Sequence, residues 1–341
     1  MKKSLITLGV LALFVLMAYG QEKKFALYSV AFYNMENLFD TIHDEGKNDY
    51  EYLPNGTNQW NTMKYKAKLK NMSEILSMLS TDKLPMGPAI IGVSEIENYR
   101  VLEDILKQPA LADRGYQYVH YEGADQRGVD CAFFYNPKLF ELTNSKLVPY
   151  VYINDTVHKT RGFLIASGNI AGEKMHFIVN HWPSRAAASP VRERAGEQVR
   201  AIKDSLLRED SAAKIVIMGD MNDDPMDKSM AVALGAKRKP ADVGPTDLYN
   251  PWWDTLKKGY GTLMYKGKWN LFDQIVFTGN LLGTDRSTLK FYKHEIFRRD
   301  FMFQKEGKYK GYPKRTQAGG VWLNGYSDHL PTIIYLIKEV K

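Results

Sequence analysis

The chain has 341 residues, with 46 Lys and Arg against 39 Asp and Glu, for a formal net charge of +7. Its single cysteine, Cys131, excludes an intrachain disulfide framework and leaves stability to a large apolar core, which this length can supply as one big domain or two small ones. The basic excess suits a polyanionic partner, although spread over this length it is a weak bias.

Lys2 and Lys3 precede an apolar run from Leu5 to Met17, and Ala18-Tyr19-Gly20 follows before polar Gln21. That order predicts a secretory signal peptide over residues 1–20, cleaved near Gly20. The run is shorter than the roughly 20 apolar residues of a spanning helix. A retained N-terminal anchor is the alternative. No cysteine follows to carry a lipid, so the mature chain is expected in a periplasmic or extracellular space.

Leu27–Tyr33 is aromatic and β-branched and predicts a first strand, with Asn34-Met35-Glu36 just beyond it. Residues 41–61 read as a long polar surface loop. Leu69, Met72, Ile75, Leu76 and Leu79 recur at helical spacing and predict an amphipathic helix over 64–79. A buried strand over 88–94 leads into Glu95-Ile96-Glu97-Asn98. A helix over 99–106, a strand over 116–121 and a loop over 122–127 follow. The next strand, 128–135, is almost continuously apolar except for Asp130, a carboxylate that needs a partner if buried.

A β-hairpin over 163–170 and 174–179 delivers Asn180 and His181 at its end, and a charged amphipathic helix is expected over 192–208. Lys214-Ile215-Val216-Ile217-Met218 then predicts a buried strand, ended by a turn at Gly219, from which Asp220 and Asn222 leave toward one side. A further strand over 269–277 carries Asp273 in its middle. Asp328-His329 precedes a last strand over 332–337. Within 286–315, basic residues alternate with aromatic ones, which fits either a surface that grips a polyanion and stacks bases or a flap lying over the core. Strands alternate with helices in places and with hairpins in others, so a mixed-sheet α/β architecture is expected.

Acids, amides and imidazoles thus recur at one strand end after another: Asn34, Glu36, Glu95, Asp130, Asn180, His181, Asp220, Asn222, Asp273, Asp328 and His329. Such a set is rich in oxygen donors and has no usable thiol. It suits a hard divalent cation, Mg2+ or alternatively Mn2+ or Ca2+, rather than Zn2+. Phosphate-ester hydrolysis needs such an ion, a base for water and a proton donor for the leaving oxygen.

In these segments the chain resembles the endonuclease/exonuclease/phosphatase superfamily, which includes deoxyribonuclease I, AP endonucleases, neutral sphingomyelinases and inositol-polyphosphate 5-phosphatases. The matching motifs are Tyr33-Asn34-Met35-Glu36-Asn37-Leu38, Gly92-Val93-Ser94-Glu95, 127–130, Asn180-His181, Gly219-Asp220-Met221-Asn222-Asp223, Phe272-Asp273-Gln274 and Ser327-Asp328-His329-Leu330-Pro331. They run in the family's order through nearly the whole mature chain, so residues 21–341 are expected to form one domain. The resemblance implies a four-layer α/β sandwich of the deoxyribonuclease I type, with two mixed β-sheets face to face and helices outside.

By the same resemblance, Glu95 is the main metal ligand, assisted by Glu36 and Asp328. Asp220 and Asn222 activate and orient the attacking water. His329 contacts the scissile phosphate and Asp273 orients it; His181 is a second such histidine, with Asp130 as its expected partner. Asn34 and Asn180 support the metal and phosphate site. Arg161 fits either a phosphate-contacting arginine or a salt bridge. Glu97 competes with Glu95, but the family motif favours the acid directly after the strand.

The expected activity is that of a secreted, Mg2+-dependent phosphodiesterase, with nucleic acid as the leading substrate. Membrane phospholipid is the alternative and would use an exposed aromatic hairpin, for which residues 249–253 are a candidate; an inositol phosphate is a third. No protein partner is expected. A catalytically inactive binding protein on the same scaffold would have lost an acid or histidine, whereas every expected position is filled.

Overall fold

In the computed structural model, residues 23–340 apart from 154 and 156 are described, so the expected signal peptide lies outside the described residues. In chain order the elements are β1 (Lys24–Leu38), α1 (Thr62–Met78), β2 (Ile90–Ile96), α2 (Tyr99–Leu106), β3 (Gln117–His120) and β4 (Asp130–Tyr135). Then come β5 (Phe140–Val148), β6 (Phe163–Ile170), β7 (Glu173–His181), α3 (Ser189–Glu209) and β8 (Lys214–Asp220). Short pieces follow: β9 (Ala236–Lys237), β10 (Leu248–Tyr249), α4 (Trp253–Lys257), β11 (Leu263–Tyr265) and β12 (Lys268–Asn270). The chain closes with β13 (Asp273–Thr278), β14 (Lys290–Ile296), β15 (Gln317–Ala318), β16 (Val321–Trp322) and β17 (Thr332–Val340).

Two mixed sheets result, a six-stranded one in the order β14-β17-β1-β2-β4-β3 and a seven-stranded one in the order β5-β6-β7-β8-β13-β10-β9. Alternate residues of β1, Val30 and Phe32, join Phe133, Phe177, Val179, Val216, Met218 and Phe277 in a core shared by the two sheets. The other face of β1 (Ala31, Tyr33) packs under α1 and α2 through Leu69, Met72, Ile75 and Leu102. On the far side, α3 covers Ile178, Ile215 and Ile217 with Ala195, Val199 and Leu206. The layers are therefore helix, sheet, sheet, helix, as in deoxyribonuclease I-like proteins. No described helix is long and apolar enough to cross a membrane.

Several elements differ from the sequence expectation. β1 continues through Asn34 and Glu36 to Leu38, because a bulge keeps it paired with β2 past the apolar run. β5 was not anticipated: as an edge strand paired only with β6 it is mostly polar and lacks an apolar signature. The strand expected over 269–277 is two, since β12 pairs with β11 in a separate hairpin and β13 starts at Asp273 rather than carrying it mid-strand. Gly219 makes no turn; β8 runs through it to Asp220. A Cβ there would lie 2.3 Å from the Asn180 carbonyl, so glycine permits the close approach of β7.

Residues 249–253 form no exposed aromatic hairpin: Trp252 is fully buried and its indole donates to the Ile275 carbonyl at 2.9 Å. The 286–315 segment is in part a sheet edge, β14, beyond which Phe297 and Met302 are buried and Arg298 lies 4.8 Å from the rings of both Trp269 and Phe303, whereas Phe301 and Tyr309 are exposed.

Candidate active site

β1 runs parallel to β2, and β7 parallel to β8, so their C-terminal ends meet at one edge of the sandwich. β13 is antiparallel to β8 with Asp273 opposite Asp220, and β17, antiparallel to β1, begins three residues after His329. Local backbone irregularity then aims the side chains. The β1–β2 register breaks between Asn34 and Leu38, and the β2–β4 register between Ser94 and Ile96. Glu36, Asn37, Glu95 and Asn222 adopt left-handed φ of 47°, 52°, 58° and 51°. Such conformations cost on the order of 1–3 kcal/mol each and persist where other contacts over-determine them.

Site side chains supply those contacts. The Glu36 amide donates to Asn34 Oδ1 at 2.9 Å, the Asn37 amide to Glu95 Oε2 at 3.0 Å and the Asn222 amide to Asp220 Oδ1 at 2.9 Å. With its oxygen engaged, Asn34 turns its Nδ2 to Glu95 Oε1 at 3.2 Å and to Asp220 Oδ2 at 3.0 Å. It therefore braces two acids from opposite sheets. Asn222 donates its side-chain amide to the Trp182 carbonyl at 2.9 Å, so it acts on Asp220 through its backbone.

Glu95, His181 and Asp220 present donor atoms within 4.8 Å of one another. His181 Nε2 stands 3.6 Å from Glu95 Oε1 and 3.7 Å from Asp220 Oδ2, while its buried Nδ1 has no partner among the described residues. Burial, helped by the charges of Arg161 and Arg127, pushes the His181 imidazole well down, so it is uncharged near neutrality. Burial raises Asp220 to about 7 against the pull of His329. Two carboxylates beside a neutral imidazole form a donor set that fits a hard divalent cation.

Across the pocket, His329 Nδ1 meets Asp273 Oδ2 at 2.7 Å, and its Nε2 lies 3.8 Å from Asp220 Oδ2. Burial alone would lower this histidine, but Asp273 and Asp220 outweigh it and hold the ring protonated well above its ordinary value. Ser327 fixes the approach, donating to the Asn34 carbonyl at 2.8 Å and accepting from the His329 amide at 3.1 Å.

The remaining expected residues take other places. Glu36 is occupied: Oε1 accepts from Arg315 Nε at 2.8 Å and Oε2 from the Thr316 amide at 2.7 Å. Arg315 Nη2 also grips Asp328 Oδ2 at 3.0 Å, so neither acid joins the donor cluster. Behind them, fully buried Lys68 donates to the Tyr326 carbonyl at 2.7 Å and lies 4.0 Å from Glu36 Oε2. Asp130 does not partner His181. It faces His120 Nε2 at 3.3 Å and accepts from the Gly123 amide, because β3 brings His120 beside the start of β4.

Asn180 is spent on structure rather than on phosphate, donating to the Ile178 and Met218 carbonyls and accepting from the Trp182 indole. Arg161 is a buried salt bridge, 2.9 Å from Asp125 Oδ2 and 3.0 Å from the Trp182 carbonyl. Glu97 accepts from the Asp40 amide at 2.7 Å, leaving Glu95 alone at the cluster. Arg315 and Lys68 escaped the sequence reading. Only Lys68 carried a signal, as a lysine in register with Tyr65, Leu69 and Met72 on the apolar face of α1.

The profile described as the endonuclease/exonuclease/phosphatase family matches residues 29–338. No curated protein matches by sequence. Among solved structures, a protein of that family from Bacteroides thetaiotaomicron superposes with a TM-score of 0.58 at 14% identity, covering 93% of this chain and 97% of its own. Zebrafish TDP2, solved with a single-strand DNA product, gives 0.52 at 14% identity over 91% and 99% of the two chains. A Bacteroides thetaiotaomicron mannosyl-6-phosphatase gives 0.56 at 14% identity over 91% and 99%. At these identities the likeness shows the shared fold.

Proposed function

The chain belongs to the endonuclease/exonuclease/phosphatase family of metal-dependent phosphoric ester hydrolases, and we propose that it is a secreted phosphodiesterase acting on nucleic acid with Mg2+. The observation that carries this is the meeting of Glu95, Asp220, His181 and the Asp273–His329 pair at one edge of both sheets. Glu95, flanked by Asp220 and His181, would hold the ion, which offsets negative charge on the phosphate oxygens when bound.

This chain's own groups do the rest. Asp220, its oxygens fixed by Asn34 and the Asn222 amide, takes the proton of a water lined up with the phosphorus–oxygen bond. His329, kept protonated by Asp273, donates to a phosphoryl oxygen or the leaving oxygen. His181, uncharged, sets its Nε2 beside Glu95 and Asp220 and adds no charge of its own.

The net charge of +7 and a fold shared with a protein solved on single-strand DNA support nucleic acid as substrate. The phospholipid alternative loses its membrane-facing candidate, since Trp252 is buried. An inositol phosphate would use the same chemistry. Secretion rests on residues 1–20.

The test is to incubate the mature protein with plasmid DNA, RNA, sphingomyelin and bis-p-nitrophenyl phosphate, with Mg2+ and with EDTA. Metal-dependent loss of DNA or RNA is expected. Asp220→Ala and His329→Ala should each lower the rate by about two to four decades with the fold intact. Near-wild-type turnover by either variant overturns the assignment.

A further inference from the structure

Beside the acid cluster lies a cavity of about 360 Å³. The long loop after β1 builds one wall with Glu51, Tyr52, Asn58 and Trp60, and Tyr309 with the β15–β16 hairpin builds the other. The hairpin turns at Gly319-Gly320, where φ of +56° and +77° calls for glycine. The two walls are joined: Trp60 donates its indole to the Phe39 carbonyl at 3.0 Å and meets Trp322 edge-on at 5.8 Å. Tyr52 is stacked on Phe39 at 4.2 Å. The cavity is thus preformed by packed aromatic rings.

Its inner end touches the site on two sides. Glu36, Asn37 and Arg315 line it; the Asn37 amide holds Glu95, and Arg315 holds Asp328, the neighbour of His329. A group attached to a phosphate at the acid cluster would therefore reach into it.

The lining decides what that group is. Arg315 is the cation of the lining, and its Nε and Nη2 are committed to Glu36 and Asp328. A second phosphate would meet the Glu51 carboxylate, and the one cation of the lining already serves two acids. Hydroxyls, by contrast, find the Glu51 carboxylate and the amides of Asn58 and Gln317, which accept or donate as needed, alongside the aromatic faces of Tyr52 and Tyr309. The volume lies at the small end of the ~300–1,000 Å³ span of ligand pockets. That suits one ring and not a stretch of polymer.

Building on the phosphoesterase reading above, we propose that this cavity seats the neutral hydroxylated ring esterified to the scissile phosphate, a furanose or pyranose bearing no second phosphate. The ring is the terminal sugar of a nucleic-acid chain, which carries the scissile phosphate alone, or a free sugar phosphate, and its hydroxyls bind Asn58, Gln317 and Glu51. A site built to hydrogen-bond hydroxyls discriminates strongly against a ligand lacking them, because its polar groups are then left unpaired.

Calorimetric titration of the mature chain in Mg2+ with non-hydrolysable phosphonates separates the possibilities. The probes are the 5′-phosphonate analogue of adenosine monophosphate, the 6-phosphonate analogue of glucose 6-phosphate, and ethylphosphonate as the ringless control. At least one ring ligand should bind about tenfold more tightly than ethylphosphonate, and which one does names the source. The double variant Asn58→Ala, Gln317→Ala should lose that preference while keeping its melting temperature; Glu51→Gln should weaken it in part. Equal binding of ring and ringless ligands, or a preference kept by the folded double variant, overturns the proposal. Turnover of bis-p-nitrophenyl phosphate is read separately. Ring preference without turnover sinks the hydrolase reading and upholds the subsite, and turnover without ring preference does the reverse.

Discussion

Asn34 shows how much a single side chain decides. Its amide is the donor that keeps Glu95 and Asp220 apart from mutual repulsion before any cation arrives. Asn34→Asp should place a third carboxylate there, lowering the melting temperature in EDTA more than in Mg2+ and cutting activity by about two decades; equal melting shifts in both buffers would refute the bracing role. Lys68 is the second such residue. Burial pulls its ammonium down to about 8 even beside Glu36. Lys68→Met leaves the Thr316 hydroxyl and the Tyr326 carbonyl without this donor and Glu36 without its buried counter-charge, and urea unfolding should show a loss of roughly 3 kcal/mol, as for other broken buried pairs. Lys68 lies on the apolar face of α1, and the groups it donates to, Thr316 and Tyr326, lie far along the chain.

At the scale of elements, strand types and helix positions were legible wherever apolar periodicity was strong: α2 falls on Tyr99–Leu106 as expected, and β8 on the run from Lys214. Edge strands such as β5 were not, since half their residues face water. Gly219 marks where β7 and β8 touch. Gly219→Ala forces a Cβ against the Asn180 carbonyl and should cost about 1–3 kcal/mol in thermal unfolding, with activity falling too because Asp220 follows directly.

The junction of α4 and β14 gives a pH prediction. Burial holds the His294 imidazole down to about 4, against the Trp252 ring at 4.8 Å. The unfolded histidine protonates near its ordinary value of about 6.5. Its contribution to stability is complete above that pH and is lost as pH falls toward 4, by on the order of 3 kcal/mol. His294→Gln should flatten this acid limb, and identical limbs for both proteins would exclude the assignment.

On the scale of the whole molecule, the donor set bridges the sandwich: Glu95 comes from the six-stranded sheet, His181 and Asp220 from the seven-stranded one. A bound cation therefore clamps the two sheets, and only the folded chain offers it these groups together. At about 100 times its dissociation constant, Mg2+ should stabilise the fold by about 2.7 kcal/mol and raise the unfolding midpoint seen by circular dichroism. Glu95→Gln should remove most of that shift. A midpoint indifferent to Mg2+ and EDTA would show that the cluster holds no ion under those conditions.

The sequence by itself determined the family, the layered α/β class and the chemistry, because apolar strands punctuated by acids, amides and histidines are local patterns. Tertiary structure alone decided the pairings. Asp273 met His329 as the motifs implied, yet Asp130 went to His120, Asn180 to backbone carbonyls, and Glu36 and Asp328 to Arg315. Partner choice depends on sheet register, bulges and left-handed residues that bring distant segments within about 3 Å of each other, the reach of a hydrogen bond. The pattern of residue types along one chain does not encode those distances.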